Sequence, residues 1–349
     1  MTKTALSFED IHDAAHALNE IAIRTPLLGS PDVDVRLSGR LLIKVECAQR
    51  TGAFKFRGAY NRIRQMSASE KQRGVITYSS GNHAQGVALA SQLLGTSALI
   101  AMPEDTTTAK MESTRALEAE IVTFDRDSED SGEVVSRLRA KTGRIIVPPS
   151  GDGRVLAGGG TVALELFEQA RNLGTSLDAV LVPCGGGGLT AATAIVMQAL
   201  SPTTQVFAVE PELFDDTRRS LVAGRRVSNP KGRRTICDAI MTPTPNALTF
   251  PINRDLLAGA LVVSDDEVRA AMLFAYDQFK IVVEPGAAVG IAAILSRKIE
   301  IQGKTIATIV TGGNIDPGRF CGMLKQHSAT KDKLNDRWAN DERLCKPID

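Results

Sequence analysis

The sequence predicts an α/β fold in two lobes, each built on a mainly parallel, twisted sheet flanked by helices. Three observations predict this fold. The chain has 349 residues, which is enough for two cores of ordinary size. Strand-like and helix-like segments alternate along most of the chain, as they do in proteins with parallel sheets. Glycine-rich turns follow several of the strand-like segments. The ligands of such folds usually bind in the cleft between the lobes.

The first alternating series runs from about residue 74 to residue 149 and predicts one sheet. In chain order its segments are GVITYSS (strand), HAQGVALASQLLG (helix), SALIAMP (strand), TAKMESTRALEA (helix), EIVTFD (strand), SGEVVSRLRAKTG (helix) and RIIVPP (strand). We therefore assign residues 51–149 to the smaller lobe.

A second series predicts the other sheet. Its main segments are GTVALELFEQARNLG (helix), LDAVLVP (strand), LTAATAIVMQAL (helix), TQVFAVEP (strand), DDEVRAAMLFAYDQF (helix), AAVGIAAILSRK (helix) and TIATIVTGG (strand). Residues 1–50 and 150–325 together form the larger lobe in this interpretation. The stretch 215–255 is rich in Arg, Pro, Thr and Asn and is predicted to be a surface excursion, and residues 326–349 a polar tail.

Composition and charge exclude several classes of protein. The formal net charge of +1 gives no electrostatic reason to expect binding to nucleic acid or to an anionic membrane. No apolar run approaches the roughly 20 residues that span a bilayer, and the N-terminus lacks the pattern of a signal peptide. A cytoplasmic protein is the simplest interpretation. The five cysteines and four histidines show no metal-ligand spacing, which leaves carboxylates, lysine, hydroxyls or an organic cofactor for chemistry.

The run Gly185, Gly186, Gly187 and Gly188 in VPCGGGGLTAATA is a candidate anion site. Four consecutive glycines add no side chains to a core and cost backbone entropy. They do let successive backbone N–H groups point at an anion where a helix begins. The chain has no Walker lysine and no GxGxxG motif, so a single phosphate group is a more suitable ligand for this turn than a nucleotide. A tight turn without a ligand is the alternative.

Two further polar turns follow strand-like segments. In TYSSGNHAQG, Ser79, Ser80 and Asn82 surround Gly81 at the start of a helix, where backbone N–H groups favour a carboxylate. Ordinary helix capping is the alternative for this turn. In IVTGGNID, Thr311 ends a strand before another glycine turn.

Lys55 is the candidate nucleophile. It lies between Phe54 and Phe56 in ECAQRTGAFKFRGAYNRI. A single lysine is nearly always a solvated surface residue, but an apolar environment lowers the pKa of its amine and makes it nucleophilic. A phosphate-binding turn together with such a lysine points to a phosphate-bearing cofactor that forms a Schiff base.

The motifs TGAFKFRGAYNRI, SSGNHAQGVALA, PCGGGGLTAA, VEP and TGGNID, in this order, resemble those of the fold-type II pyridoxal-phosphate (PLP) enzymes, which share the fold of the tryptophan synthase β chain. Among these enzymes the chain is similar to the threonine/serine dehydratase and serine racemase family, from about residue 8 to residue 323. The resemblance implies that the larger lobe is the PLP-binding domain and that the smaller lobe lies on the substrate side. It also implies a homodimer.

The resemblance implies a role for each motif residue. Lys55 would carry PLP and remove the Cα proton of the substrate. Phe54 would pack beside the pyridine ring, Asn82 would bind the ring hydroxyl, and Thr311 would face the pyridine nitrogen. The cofactor phosphate would be held by Gly185–Gly188. The substrate carboxylate would be surrounded by Ser79, Ser80, Gly81 and His83.

The same family carries a divalent-cation site, which maps here to the segment AVEPELFDD. Its ligands would be the carboxylates of Glu210 and Asp216 and the backbone carbonyl of Phe214. Oxygen ligands of this kind suit magnesium, calcium or manganese. An ordinary acidic loop is the alternative.

Two departures from the family pattern leave the substrate open. The family's GQGT loop is here Gly158-Gly159-Gly160-Thr161, and this loop is expected to face the substrate side chain. Ser80 stands where many threonine dehydratases have alanine, and its hydroxyl would act as an acid or base on the face opposite Lys55.

The resemblance implies a PLP-dependent ammonia-lyase that converts L-threonine, L-serine or 3-hydroxyaspartate to a 2-oxo acid and ammonia. Amino-acid racemisation is the main alternative, because Lys55 and Ser80 would supply bases on opposite faces. A binding protein without PLP, whose lysine is structural, is a second alternative. A third is cysteine synthase-like β-replacement, which the TGAFKFRGA context disfavours.

Overall fold

The structure is a computed structural model that describes residues 6–328. Its helices are α1 (Phe8–Leu18), α2 (Pro31–Leu37), α3 (Lys55–Arg64), α4 (Ala68–Arg73), α5 (Asn82–Leu93), α6 (Thr108–Arg115), α7 (Ser131–Thr142), α8 (Gly153–Asn172), α9 (Gly188–Leu200), α10 (Asp216–Ala223), α11 (Thr249–Leu256), α12 (Asp265–Phe279), α13 (Pro285–Leu295) and α14 (Pro317–Ser328). Its strands are β1 (Leu27–Leu28), β2 (Arg40–Val45), β3 (Val75–Tyr78), β4 (Ala98–Pro103), β5 (Glu120–Phe124), β6 (Ile145–Ile146), β7 (Ala179–Pro183), β8 (Gln205–Pro211), β9 (Gly259–Val263) and β10 (Thr305–Val310).

The strands form two sheets. The smaller sheet has the order β5-β4-β3-β6, and all of its pairs are parallel. The larger sheet has the order β1-β2-β10-β7-β8-β9, in which only the β1–β2 pair is antiparallel. Parallel neighbours need crossover connections, and the helices between the strands supply them.

Side chains that alternate along each strand pack against helices on opposite faces. In β2, Leu41 and Ile43 join the core beneath α12 and α13, whereas Leu42 joins the core beneath α8 and α9. In β4, Ile100 packs towards α3 and α5, whereas Leu99 packs towards α7. The predicted fold class, with mainly parallel sheets flanked by helices, is confirmed.

Capping residues explain where several helices begin. Ser264 and Glu267 form a reciprocal capping box at the start of α12. Asp130 accepts hydrogen bonds from the first turn of α7, and Asp152 does the same for α8. Asp152 fixes the start of α8 close to the strand ends, so this helix begins beside the cleft.

Helix α3 joins the two halves of the molecule, since it contacts both α5 and α8. Arg57 on α3 is fully buried and donates to both oxygens of buried Glu46, at 2.8 Å each. It also donates to Glu165 of α8 at 2.7 and 3.0 Å, and Lys44 donates to the same carboxylate at 2.6 Å. Two cations and two carboxylates therefore balance in this network, which holds α3 against α8.

Two expectations were wrong. Residues Gly158–Thr161 do not form a loop but lie inside α8 and are buried, because glycine there lets two backbones approach. A Cβ at Gly158 would lie 2.4 Å from the carbonyl oxygen of Arg57. The stretch 215–255 is not a simple surface excursion, since it contains α10, α11 and buried side chains such as Cys237 and Phe250.

The predicted polar tail lies mostly outside the described residues, and its residues 326–328 end α14. Within residues 6–328, no helix is both long enough and apolar enough to cross a membrane. Both sheets lie within the lobe ranges assigned from the sequence, and the division into two domains stays a prediction.

Candidate active site

A cavity of about 640 Å³ lies at the carboxyl ends of strands from both sheets. Tyr78, Pro103, Phe124 and Pro183, which line it, are the last residues of β3, β4, β5 and β7. This edge is where ligands of open α/β sheets bind. The residues assigned to the cofactor and to the substrate carboxylate all line the cavity: Phe54, Lys55, Ser79, Ser80, Gly81, Asn82, His83, Gly185, Gly186, Gly187, Gly188 and Thr311.

Lys55 is the first residue of α3 and points into this cavity. Its Nζ donates to the carbonyl oxygen of Pro149 at 2.9 Å and lies 5.2 Å from the centroid of the Phe54 ring. Burial lowers the pKa of Lys55 to about 8, an effect that Glu284 partly opposes. The amine is therefore neutral far more often than that of a solvated lysine. The N–H of Phe54 donates to the carbonyl of Thr311 at 3.0 Å, which ties the lysine segment to the end of β10.

The four-glycine turn has the properties of an anion site. Gly187 caps α9 with a φ of 80°, and a Cβ there would lie 2.4 Å from Asn253 Nδ2. Thr249 and Asn253 of α11 hold the turn by donating to the carbonyls of Gly186 and Gly187, at 2.7 and 3.1 Å. No group of residues 6–328 accepts from the backbone N–H groups of Gly185–Gly188. Four free N–H groups at a helix start fit a phosphate.

The Ser-Gly-Asn turn opens α5 on the opposite side of the cavity. The N–H of Gly81 donates to Ser79 Oγ at 3.2 Å, while the Ser80 hydroxyl makes no hydrogen bond to the described residues. Asn82 begins the helix and donates through Nδ2 to Glu284 at 2.5 Å. The turn thus offers a free hydroxyl and a helix N-terminus to a ligand.

His83 lies at the same helix start, but its environment keeps it neutral. Burial and the nearby Lys55 lower its pKa to about 3. Its Nε2 lies 2.9 Å from the carbonyl oxygen of Val147, so Nε2 carries the proton and Nδ1 does not. Nδ1 is buried and has no partner among the described residues.

Glu284 is a cavity residue to which the sequence interpretation assigned no role. It precedes Pro285 at the start of α13, and only 5% of it is exposed. Burial raises its pKa to about 7, although the hydrogen bond from Asn82 opposes this. The sequence VEP does not by itself place Glu284 in the cavity, because its contact there is with Asn82, which is 202 positions away in the chain.

Charged groups also line the wider part of the cavity. Lys110 of α6 pairs with Asp238 at 3.1 Å, and Arg319 of α14 lies 3.4 Å from the same carboxylate. Arg126 pairs with Asp105 at 2.7 Å. Arg319 does not line the cavity, so a negative group on this side would meet Lys110 and Arg126.

The predicted metal ligands do not line the cavity. Glu210 and Asp216 are buried, and burial together with their mutual repulsion raises the pKa of Glu210 to about 8. The pKa of Asp216 rises to about 6, mainly through burial. Asp216 Oδ2 is buried and has no hydrogen-bond partner among the described residues. No backbone N–H group of the described residues donates to the carbonyl of Phe214. Asn229 donates to the other oxygen, Asp216 Oδ1, at 2.6 Å, so one free carboxylate oxygen and one free carbonyl are left for a cation.

Three comparisons place this geometry beside known proteins. The family described as "Pyridoxal-phosphate dependent enzyme" matches residues 18–312. The chain is 38% identical to an L-threo-3-hydroxyaspartate ammonia-lyase of Saccharomyces cerevisiae, over 91% of this chain and 96% of that protein. It is 35% identical to a serine racemase of Schizosaccharomyces pombe, over 92% and 98% of the two chains. The solved structure of maize serine racemase superposes with a TM-score of 0.86 at 33% identity, covering 94% of this chain and 99% of that one.

Proposed function

We propose, from the premise that this chain belongs to the pyridoxal-phosphate dependent enzyme family, that it is an ammonia-lyase acting on a small hydroxy-amino acid. Its substrate would be L-threonine, L-serine or 3-hydroxyaspartate, and its products a 2-oxo acid and ammonia. The observation that carries the proposal is that one cavity brings partly buried Lys55 together with the free N–H groups of Gly185–Gly188.

The residues present fit PLP. Gly185–Gly188 would hold its phosphate, Phe54 would pack beside its ring, and Asn82 would bind its ring hydroxyl. When bound, PLP supplies an electron sink for negative charge at the substrate Cα. Thr311 offers a neutral hydroxyl for the ring nitrogen, which stabilises a positive charge there less than a carboxylate would. We infer that this favours loss of the β-hydroxyl.

Lys55 would act as the base. With a pKa of about 8, its Nζ is available in the neutral form and can take the Cα proton. The Cα–H and Cβ–O bonds then break. The hydroxyl takes up one proton, which balances the proton removed by Lys55, and leaves as water. The released enamine hydrolyses to the 2-oxo acid and ammonia. The carbonyl of Pro149, at 2.9 Å, orients the lysine amine.

The substrate carboxylate would bind at the start of α5. Gly81 and Asn82 begin this helix, whose first N–H groups favour an anion. The free hydroxyl of Ser80 supplies a further donor, and Ser79 orients the turn through its bond from Gly81. His83 is neutral, so it would shape this pocket without adding charge.

An assay of 2-oxo acid across candidate substrates tests the proposal. It compares L- and D-serine, L-threonine and both diastereomers of 3-hydroxyaspartate, with and without Mg²⁺. We expect ammonia and 2-oxo acid in equal amounts from at least one hydroxy-amino acid, and none from Lys55→Ala. A parent protein that releases no 2-oxo acid from any of them contradicts the proposal.

A second candidate function is amino-acid racemisation. Lys55 and the free Ser80 hydroxyl both line the cavity, and a relative 35% identical to this chain is called a serine racemase. Two bases on opposite faces of a bound amino acid are what racemisation needs. Ser80→Ala should abolish racemisation and should reduce the rate of elimination much less. The two-base idea fails when the parent does not racemise serine, or when Ser80→Ala racemises it at the parent's rate.

We also propose a divalent cation, with Mg²⁺ as the first choice, at Glu210, Asp216 and the carbonyl of Phe214. The unpartnered Oδ2 of Asp216 and the buried carboxylate pair support it. Mg²⁺, Ca²⁺ or Mn²⁺ should raise the unfolding temperature of the parent but not that of Asp216→Asn. Equal responses of the two proteins would count against the site.

The oligomer and the compartment are also proposals. Family resemblance supports a homodimer, and sedimentation velocity of the purified protein measures this. A cytoplasmic location rests on composition, and imaging of the tagged full chain tests it.

A further inference from the structure

Three side chains from distant parts of the chain form a polar network beside Lys55. Asn314 Nδ2 donates to the carbonyl of Thr51 at 2.7 Å and to Asn82 Oδ1 at 2.8 Å. Asn82 Nδ2 in turn donates to Glu284 Oε1 at 2.5 Å. A backbone carbonyl can only accept, so Asn314 points its Nδ2 at Thr51 and at the Asn82 oxygen, while Glu284 accepts from the nitrogen of the Asn82 amide.

The network leaves one hydrogen-bond donor of Asn82 free. Its amide has two N–H groups and one oxygen. The oxygen faces Asn314 and one N–H faces Glu284, so the second N–H remains for a ligand in the cavity that Asn82 lines.

Burial of Glu284 lowers the stability of the fold, so a structural role alone does not explain this residue. It is buried, and among the described residues it has no basic partner within salt-bridge distance, whereas buried Glu46 is paired with Arg57. Burying an unpaired carboxyl is unfavourable. Packing around it is also tight, because a Cβ at Gly312 would lie 2.5 Å from Glu284 Oε1. A shorter apolar side chain would avoid both costs.

We propose that Glu284 is a positioning residue of the cofactor site. It orients Asn82 so that the free N–H of Asn82 binds the oxygen of the hydroxyl group on the PLP ring. The inference rests on the proposed function, because it needs PLP in this cavity. A hydrogen bond to that oxygen stabilises its anionic form. Glu284 therefore acts on PLP through Asn82 and not through contact with the reacting atoms of the substrate.

The test is a double-mutant cycle on PLP affinity, using the apoprotein and PLP itself. Glu284→Ala should weaken PLP binding about tenfold, the loss expected for one hydrogen bond to a charged group. In an Asn82→Ala background the same change should weaken binding less than about twofold, because its effect passes through Asn82. Glu284→Gln keeps an acceptor oxygen and should stay within about threefold of the parent.

The absorption spectrum gives a second readout. In Glu284→Ala the bound cofactor should absorb less in its long-wavelength band and more in its short-wavelength band, since its ring oxygen is less stabilised as an anion. Glu267→Ala is the matched control: it also removes a carboxylate at a helix N-terminus, but away from the cavity. We expect this control to bind PLP with the parent's affinity and spectrum.

Two outcomes would overturn the inference while leaving the proposed function in place. One is a Glu284→Ala protein with the parent's affinity and spectrum. The other is a loss of equal size with and without Asn82, which would mean that Glu284 acts only on the fold. A parent that binds no PLP overturns the proposed function, and the inference with it.

Discussion

Lys55 and Glu284 show how burial changes the chemistry of two opposite charges in one cavity. Desolvation favours the neutral form of both groups, so it lowers the pKa of the lysine to about 8 and raises that of the glutamate to about 7. Glu284 also favours the charged form of Lys55. The Lys55 amine can therefore take up or release a proton near neutral pH, as acid–base catalysis requires.

The pKa of Lys55 makes a prediction about cofactor uptake. Its neutral amine is the nucleophile, so the rate of PLP binding by the apoprotein should rise about tenfold per pH unit below about pH 8 and level off above it. Stopped-flow absorbance at fixed PLP concentration measures this. An ordinary lysine would instead give a rate that keeps rising to about pH 10.

Some residues of the cavity can be predicted from the sequence and others cannot. Lys55, Asn82 and Thr311 could be predicted to line a ligand site because each stands in a short local motif. Glu284 could not, since its place in the cavity depends on a contact with Asn82 made only after folding.

The glycine turn before α9 is the element that we propose to bind the phosphate of PLP. Gly187→Ala should weaken PLP binding by at least about tenfold, because a Cβ there would displace Asn253 from the turn. Fluorescence titration of the apoprotein with PLP measures the affinity.

Gly224→Ala is the matched control for backbone strain. Gly224 has a φ of 64° at the end of α10, close to the φ of Gly187, but nothing lies near its missing Cβ. It should cost about 1–2 kcal/mol of stability and leave PLP affinity unchanged. Equal losses of affinity in the two variants would mean that the clash with Asn253 has no role.

Helices α3 and α8 are held together by the ion network around Arg57. Arg57→Met should lower the free energy of unfolding by about 3–5 kcal/mol, because it leaves the buried Glu46 carboxylate without its cationic partner. Urea denaturation of the apoprotein measures the loss. Arg24→Met breaks an exposed ion pair with Glu168 and should cost at most about 1 kcal/mol. Similar losses in the two variants would contradict this assignment.

The elements themselves could mostly be predicted from alternation of strand-like and helix-like segments. Residues 158–161 could not, because a run of glycines normally ends a helix. Here the same glycines lie within α8 because α3 packs against them closely, with the carbonyl of Arg57 where a Cβ would be. Tertiary packing outweighed local propensity.

At the scale of the whole molecule, strand ends of both sheets line one cavity, and an ion pair in its lining joins residues from the two halves. Lys110 lies on α6 beside the smaller sheet, and Asp238 lies beside the larger one. The pair is partly exposed, so it contributes little to stability. Its charge, however, faces the cavity that would hold the substrate.

Lys110 should influence which substrate the enzyme prefers. Lys110→Met should lower kcat/KM for 3-hydroxyaspartate by about tenfold more than for L-serine, because only the diacid has a second carboxylate for this cation. Asp238→Asn is the reciprocal variant and should shift preference towards the diacid. Equal losses for both substrates in Lys110→Met would show that the cation does not select the side chain.

Covalent labelling of Lys55 tests the central claim most directly. The PLP-loaded protein is reduced with borohydride, digested and mapped by mass spectrometry, with Lys55→Ala treated in parallel. We expect a coloured protein whose visible band is lost on reduction, with the cofactor's mass on the peptide that contains Lys55 and no label in the variant. A protein that cannot be reconstituted with PLP, or a label on another lysine, would contradict it.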